Sequence, residues 1–223
     1  MPAYSTEALI LRTYRFGEAD LIVVFLTRDR GKRRGVARNA VKSRRRFGAA
    51  LEPLTRGRVA YFEKEQQDLV RLDRIETMAS PLSSAMRGTA GTGALGHAGY
   101  FAELLDEWAP EAQANEKLFR LGASVGDALA QGAPVAPLAR YFEYWLLKLE
   151  GVYPDMTESG ISAEALAFLR EAGETAPAAV GTLRMGRNAG RELEAAHRRL
   201  IAMHLDKELR SARVLREIGP DLL

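Results

Sequence analysis

Apolar and polar positions follow two different periods along this chain, and the period changes just after Met78. Before it come short runs such as "EALILRTY", "DLIVVFLT", "GKRRGVAR", "RGRVAYFEK" and "DLVRLDRIE". They are rich in Val, Ile, Leu, Phe and Tyr and punctuated by Gly17, Asp20, Gly31 and Gly57, which predicts strands. In "LVRLDRI" the apolar Leu69, Leu72 and Ile75 recur at intervals of three, so the strand pattern is less regular there. Five short strands within about 80 residues suggest a small barrel, for which an OB-fold is the obvious candidate.

Beyond Met78 the period becomes helical. "YFAELLDEW" sets Tyr100, Phe101, Leu104, Leu105 and Trp108 on one face, and "LFRLGASVGDAL" does so with Leu118, Leu121, Val125 and Leu129. "RYFEYWLLKLEG" carries Phe142, Trp145, Leu146 and Leu149, with Gly151 as its stop. "ISAEALAFLREAG" starts at Ser162, a good N-cap, and ends at Gly173. A last helix is predicted from about Ala189 to His204, after one long loop over 173–190. The expected architecture is therefore α+β: a five-stranded barrel over residues 1–80, then an all-helical domain over 81–223.

Charge divides at the same place. Residues 1–80 carry 17 Lys/Arg against 10 Asp/Glu, and residues 81–223 carry 15 against 19, so a net +3 conceals +7 and −4. The excess concentrates in "GKRRGVARNAVKSRRRFG", eight cations in eighteen positions with no acid. Like charges repel, so such a run is either well solvated or neutralised by an anion. Lys32 and Arg34 share one side of a strand and Arg33 takes the other, while Arg38, Lys42, Arg44, Arg45 and Arg46 follow in a loop. Arginine predominates, and its planar fork suits phosphate. A basic groove on a small barrel fits nucleic-acid backbone, with Tyr14, Phe16 and Phe47 as aromatics for base stacking or for the barrel core.

Other signals are weaker. "GTGALG" at 91–96 matches G-x-G-x-x-G, but it follows a helical, small-residue stretch rather than a strand, so close helix packing is the expected role. The three histidines, His97, His197 and His204, have no partners at ligand spacing and are expected to be structural. The carboxylates form no acid/base or metal pattern, so no enzyme, cofactor or metal is expected. There is no cysteine. Met1 to Ile10 lacks a signal-peptide core, and Leu21 to Leu26 is too short to span a bilayer, which predicts a cytoplasmic protein.

The order of these segments carries a resemblance. "ALILRTYRFGEADLIVVFLTRDRGKRRGVARNAVKSRRRFGAALEPLT", then "YFAELLDEWAPEAQANEKLFRL", "RYFEYWLLKLEGVYP" and "HLDKELRSARVL" resemble the RecO family of bacterial recombination mediators and DNA-repair proteins. Asn39 stands where the family often has Gly, and it tolerates a left-handed backbone. Many members carry a four-Cys zinc module, but here "GVYPDMTESGISAEAL" passes straight on, so the module is expected to be missing near 154–162 and no zinc with it. The resemblance implies an OB-fold packed on helices, binding to single- and double-stranded DNA, and annealing of complementary strands. It also implies loading of the RecA recombinase onto coated strands without nucleotide hydrolysis. Its implied partners are RecR and the acidic C-terminal tail of single-stranded DNA-binding protein, with Arg140 at the implied tail site. Two other readings share the basic barrel: an RNA-binding OB module, and a scaffold recognising an acidic protein.

Overall fold

Continuous apolar runs such as "ALIL" and "LIVVFL" belong to strands covered on both faces. A computed structural model describes residues 2–43, 46–63, 68–86, 92–156, 160–207 and 209–218. The strands are β1 (Ala3–Phe16), β2 (Asp20–Thr27), β3 (Gly31–Ala37), β4 (Arg56–Phe62) and β5 (Leu69–Ala79). They close into a barrel in the order β1-β2-β3-β5-β4, with β3 and β5 parallel and the other pairs antiparallel. This is the OB-fold arrangement.

Inside the barrel lie Ala8, Ile10, Val23, Phe25, Val59, Tyr61, Val70 and Leu72. The alternate residues Leu9, Leu11, Val24 and Leu26 face outward and join the core of the helices. Barrel and helices thus share an apolar layer. The irregular spacing in β5 has a local cause. Tyr61 pairs with Leu72 but Ala60 with Arg74, so Asp73 is bulged out and Val70, Leu72 and Ile75 all reach the interior.

The helices are α1 (Pro81–Met86), α2 (Thr92–Trp108), α3 (Glu116–Ala130), α4 (Val135–Leu149), α5 (Ala163–Glu174), α6 (Arg187–Leu205) and α7 (Arg210–Ile218). Ser162 caps α5 as expected, its hydroxyl accepting from Ala165 N at 3.3 Å. Two features differ from the sequence expectation. The long loop contains a 3-10 turn at Pro177–Thr182, and α7 follows α6. α7 is short, nine residues, and its Leu215 is buried in the helical core. Glu103 of α2 holds its start, accepting from Arg210 N at 3.1 Å and Ser211 N at 2.8 Å. Gly96 makes room for it: a Cβ there would lie 2.6 Å from Leu215 Cδ2. The small residues of "GTGALG" therefore serve close packing, with Gly91 outside the described residues.

β3 is tied to the helices along its first half, where β5 does not pair with it. Lys32 N donates to Pro110 O at 3.3 Å, and Ala112 N to Lys32 O at 3.0 Å. Gly31 is required there, since its φ is 72° and a Cβ would lie 2.2 Å from Gln113 O. No helix among the described residues is long and apolar enough to cross a membrane.

Candidate nucleic-acid interface

The three cations that the basic run places on β3 differ in environment. Lys32 is only 7% exposed. Its ammonium donates to the Asp106 carbonyl and lies 3.3 Å from Asp106 Oδ1 and 3.6 Å from Glu111 Oε1. Arg12 reaches the other oxygen of Asp106 at 2.8 Å. Lys32 was expected to touch nucleic acid; instead it is a buried tie between barrel and helices, because segment 110–112 lies over that half of β3. Arg34 shares its side of the strand, as the alternation predicts, and is exposed, with Glu111 at 2.8 Å. Arg33 faces the other way and pairs with Glu63 at 3.2 Å.

Arg38 and Lys42 are exposed, and among the described residues neither makes an ion pair. Arg46 is committed to the loop: its guanidinium donates to Ser43 Oγ at 3.2 Å and to the Arg38 carbonyl, and it lies over the Phe47 ring. Arg44 and Arg45 lie outside the described residues. The loop turns at Asn39, whose φ of 54° is left-handed and whose N–H donates to Asp20 Oδ1 at 2.7 Å.

The outward faces of β3, β5 and β4 form an open groove of about 930 Å³ beneath this loop. Register sets its floor: Val36 pairs with Arg71, and Arg71 with Phe62. The Arg71 guanidinium stacks over the Phe62 ring at 4.5 Å. Arg38 and Phe16 form the rim, and Phe16 is 48% exposed. Tyr14 is exposed as well, with Arg12 over its ring, whereas Phe47 is buried in the barrel. A guanidinium held flat against an aromatic is a platform for phosphate and base together. Arg71 and Phe62 were not singled out from the sequence. The signal was present, since Val70 and Leu72 on the inside place Arg71 outside.

Arg140, the expected partner residue, lies elsewhere. It is 3% exposed at the floor of a pocket of about 100 Å³ between α2, α6 and α7. The walls include Tyr100, Ile201, Leu209 and Leu215, and the rim carries Arg198 and Lys207. The aromatics beside Arg140 in sequence do not form these walls: Tyr141 and Phe142 are core, and Trp145 donates to Ala172 O at 3.0 Å. Arg140 Nη2 donates to Glu143 Oε1 at 3.1 Å, but Nε and Nη1 have no hydrogen-bond partner.

Glu143 also accepts from Tyr100 Oη at 2.8 Å and from His197 Nδ1 at 2.9 Å, and His197 Nε2 accepts from Tyr153 Oη at 2.9 Å. Burial alone would raise the Glu143 carboxyl; Arg140, His197 and Tyr100 overcome it and hold it below the ordinary value. Burial also lowers His97 below its ordinary 6.5, its Nδ1–H donating to Gly93 O. His97 and His197 are thus placed structurally. Among the described residues no group of three His, Asp or Glu is disposed to hold a metal.

Comparison with known proteins agrees over most of the chain. The family described as recombination protein O N terminal matches residues 1–81, and that described as recombination protein O C terminal matches residues 92–161. The DNA repair protein RecO of Koribacter versatilis is 45% identical over 161 residues, covering 72% of this chain and 64% of that relative. The DNA repair protein RecO of Anaeromyxobacter sp. (strain K) is 32% identical, covering 99% of this chain and 98% of its own. That of Geobacter metallireducens is 33% identical, with 99% and 100% covered. The last two alignments span 254 positions on a chain of 223 residues, so at least 31 have no counterpart here.

Proposed function

The chain belongs to the RecO family of DNA repair proteins, and from that premise we propose that it is a non-enzymatic recombination mediator working in the cytoplasm at the nucleoid. On this reading it binds single- and double-stranded DNA along the β3–β5–β4 groove and anneals complementary strands. It then helps to load recombinase onto strands coated with single-stranded DNA-binding protein, together with RecR.

The observation that carries the reading is the groove itself, lined by Arg38, a stacked Arg71–Phe62 pair and an exposed Phe16, with exposed Lys42 in the loop that follows Asn39. Cations that neutralise phosphates hold strands without reading sequence and leave base edges free to pair, which is what annealing needs. The surplus charge lies where the phosphates would lie, so repulsion within the basic run is relieved on binding.

The pocket at Arg140 suits the C-terminal tail of single-stranded DNA-binding protein. Its apolar walls accept one side chain, and the unpartnered N–H groups of Arg140 suit a terminal carboxylate.

The test is a salt titration of single-stranded DNA binding by wild type and by Arg38→Ala/Lys42→Ala/Arg71→Ala. Three lost phosphate contacts lower the salt slope by about 2 and weaken binding roughly equally on all sequences. An unchanged slope would remove the groove from the account. Tighter binding to an RNA of equal length would favour an RNA-binding module instead.

A further inference from the structure

The segment that seals Lys32 also brings an acid to the outward side of β3. Lys32 N donates to Pro110 O and Ala112 N donates to Lys32 O, so Glu111 is fixed between two backbone bonds. Ala112 is left-handed there, with a φ of 56°, and Gly31 leaves the room that Gln113 fills. Glu111 Oε1 lies 2.8 Å from Arg34 Nη2 and 3.6 Å from Lys32 Nζ, and the glutamate and Arg34 are each about half exposed. Lys32 has Asp106 besides. Arg34 has no such second acid: among the described residues, Glu111 is its one ion-pair partner.

Arg34 stands at the edge of the proposed DNA groove. It pairs with Leu69 and precedes Val36 by two residues, and both of these line the groove. Arg38 follows on the same side, about 13 Å further along an extended chain. To a guanidinium fork, a carboxylate and a backbone phosphate are alternative acceptors, each with two anionic oxygens. A half-exposed ion pair is weakly held, so a phosphate can displace Glu111. The backbone of the glutamate stays paired with β3, which keeps its carboxylate beside Arg34, ready to return when the phosphate leaves.

We infer that Glu111 is a tethered phosphate surrogate: it holds Arg34 while no DNA is bound, yields it to a backbone phosphate at the edge of the groove, and competes for it afterwards. The inference rests on the groove reading above and adds to it a competitor from the connection between α2 and α3. The exchange has a signature in salt dependence. A phosphate that binds a free arginine releases its condensed counterion. A phosphate that takes Arg34 also exposes the Glu111 carboxylate, which gathers a cation in turn, so this contact adds almost nothing to the salt slope. It has a kinetic consequence as well. A protein that anneals strands has to let go of the duplex it has made, and a carboxylate waiting beside Arg34 speeds that release without any change of fold.

The test is Glu111→Gln in the full chain, with a labelled single-stranded oligonucleotide titrated at several salt concentrations and its release followed by stopped flow. The variant should bind about twofold to fivefold more tightly at low salt, the yield of one exposed pair, with most of the gain in slower release. Its salt slope should steepen by about 0.7, the share of one phosphate on a single strand. In an Arg34→Ala background the same substitution should change neither quantity. Unchanged or weaker binding by Glu111→Gln would overturn the surrogate and leave Glu111 a structural tie like Lys32. An equal gain with and without Arg34 would overturn it too, since a lost negative charge would then act through its field alone. Arg38→Ala/Lys42→Ala/Arg71→Ala, measured alongside, separates the two claims. If the triple variant binds weakly and Glu111→Gln has no effect, the groove stands and the surrogate falls. If the triple variant binds as wild type does, the groove reading falls and takes the surrogate with it.

Discussion

Adjacent cations in one short segment do different work because strand pleat and domain packing give them different surroundings. Lys32 and Arg38 lie on the same side of the chain, six residues apart, yet one is sealed under segment 110–112 and the other stands over an open groove. Lys32→Met should therefore act on stability. Removing one partner of a buried ion pair costs about 3–5 kcal/mol, and here Arg12 remains on Asp106, so a loss of about 2–3 kcal/mol is expected. Urea unfolding measures it, and DNA affinity of the folded variant should be unchanged. Had Lys32 been a phosphate ligand, affinity and salt slope would fall instead.

Elements are held by a few buried polar groups as well as by their apolar stripes. Glu143 of α4 joins α2 through Tyr100 and α6 through His197, and its carboxyl sits below its ordinary pKa. A carboxyl with a lowered folded pKa stabilises the fold above its unfolded value of 4.5, and that contribution is lost as pH falls through the folded value. Glu143→Gln should be less stable than wild type at pH 7 by about 3 kcal/mol, because it leaves Arg140 without its counter-charge. The gap should narrow below about pH 4. Lowered His97 adds a second loss, which begins as pH falls below 6.5. Melting temperatures of both proteins between pH 7 and 4 check the sign. A gap that widened on acidification would contradict it.

Most elements were legible because their apolar positions follow one period. β2 was read to the residue, and Ser162 marked the start of α5. What escaped had physical reasons. The bulge at Asp73 broke the regular alternation of β5 beyond Leu72, and α7 is short and held at its start by Glu103, far away in sequence. The basic run was visible as charge, but the sealing of Lys32 depends on segment 110–112, which no local pattern encodes.

For the whole molecule, the barrel's positive excess and the helices' negative excess are arranged on one shared apolar layer. The ion pairs that cross it, such as Arg56 with Asp127 and Arg28 with Glu116, use up several barrel cations. Of those left over, Arg38 and Arg71 line the β3–β5–β4 groove, and on the proposed reading their charge holds DNA. The most direct measurement is the rate of annealing of two complementary oligonucleotides by wild type and by Arg38→Ala/Lys42→Ala/Arg71→Ala, with melting temperature as the control. Annealing should fall by roughly tenfold or more at low salt while the melting temperature holds; an undiminished rate in a folded variant would contradict the account.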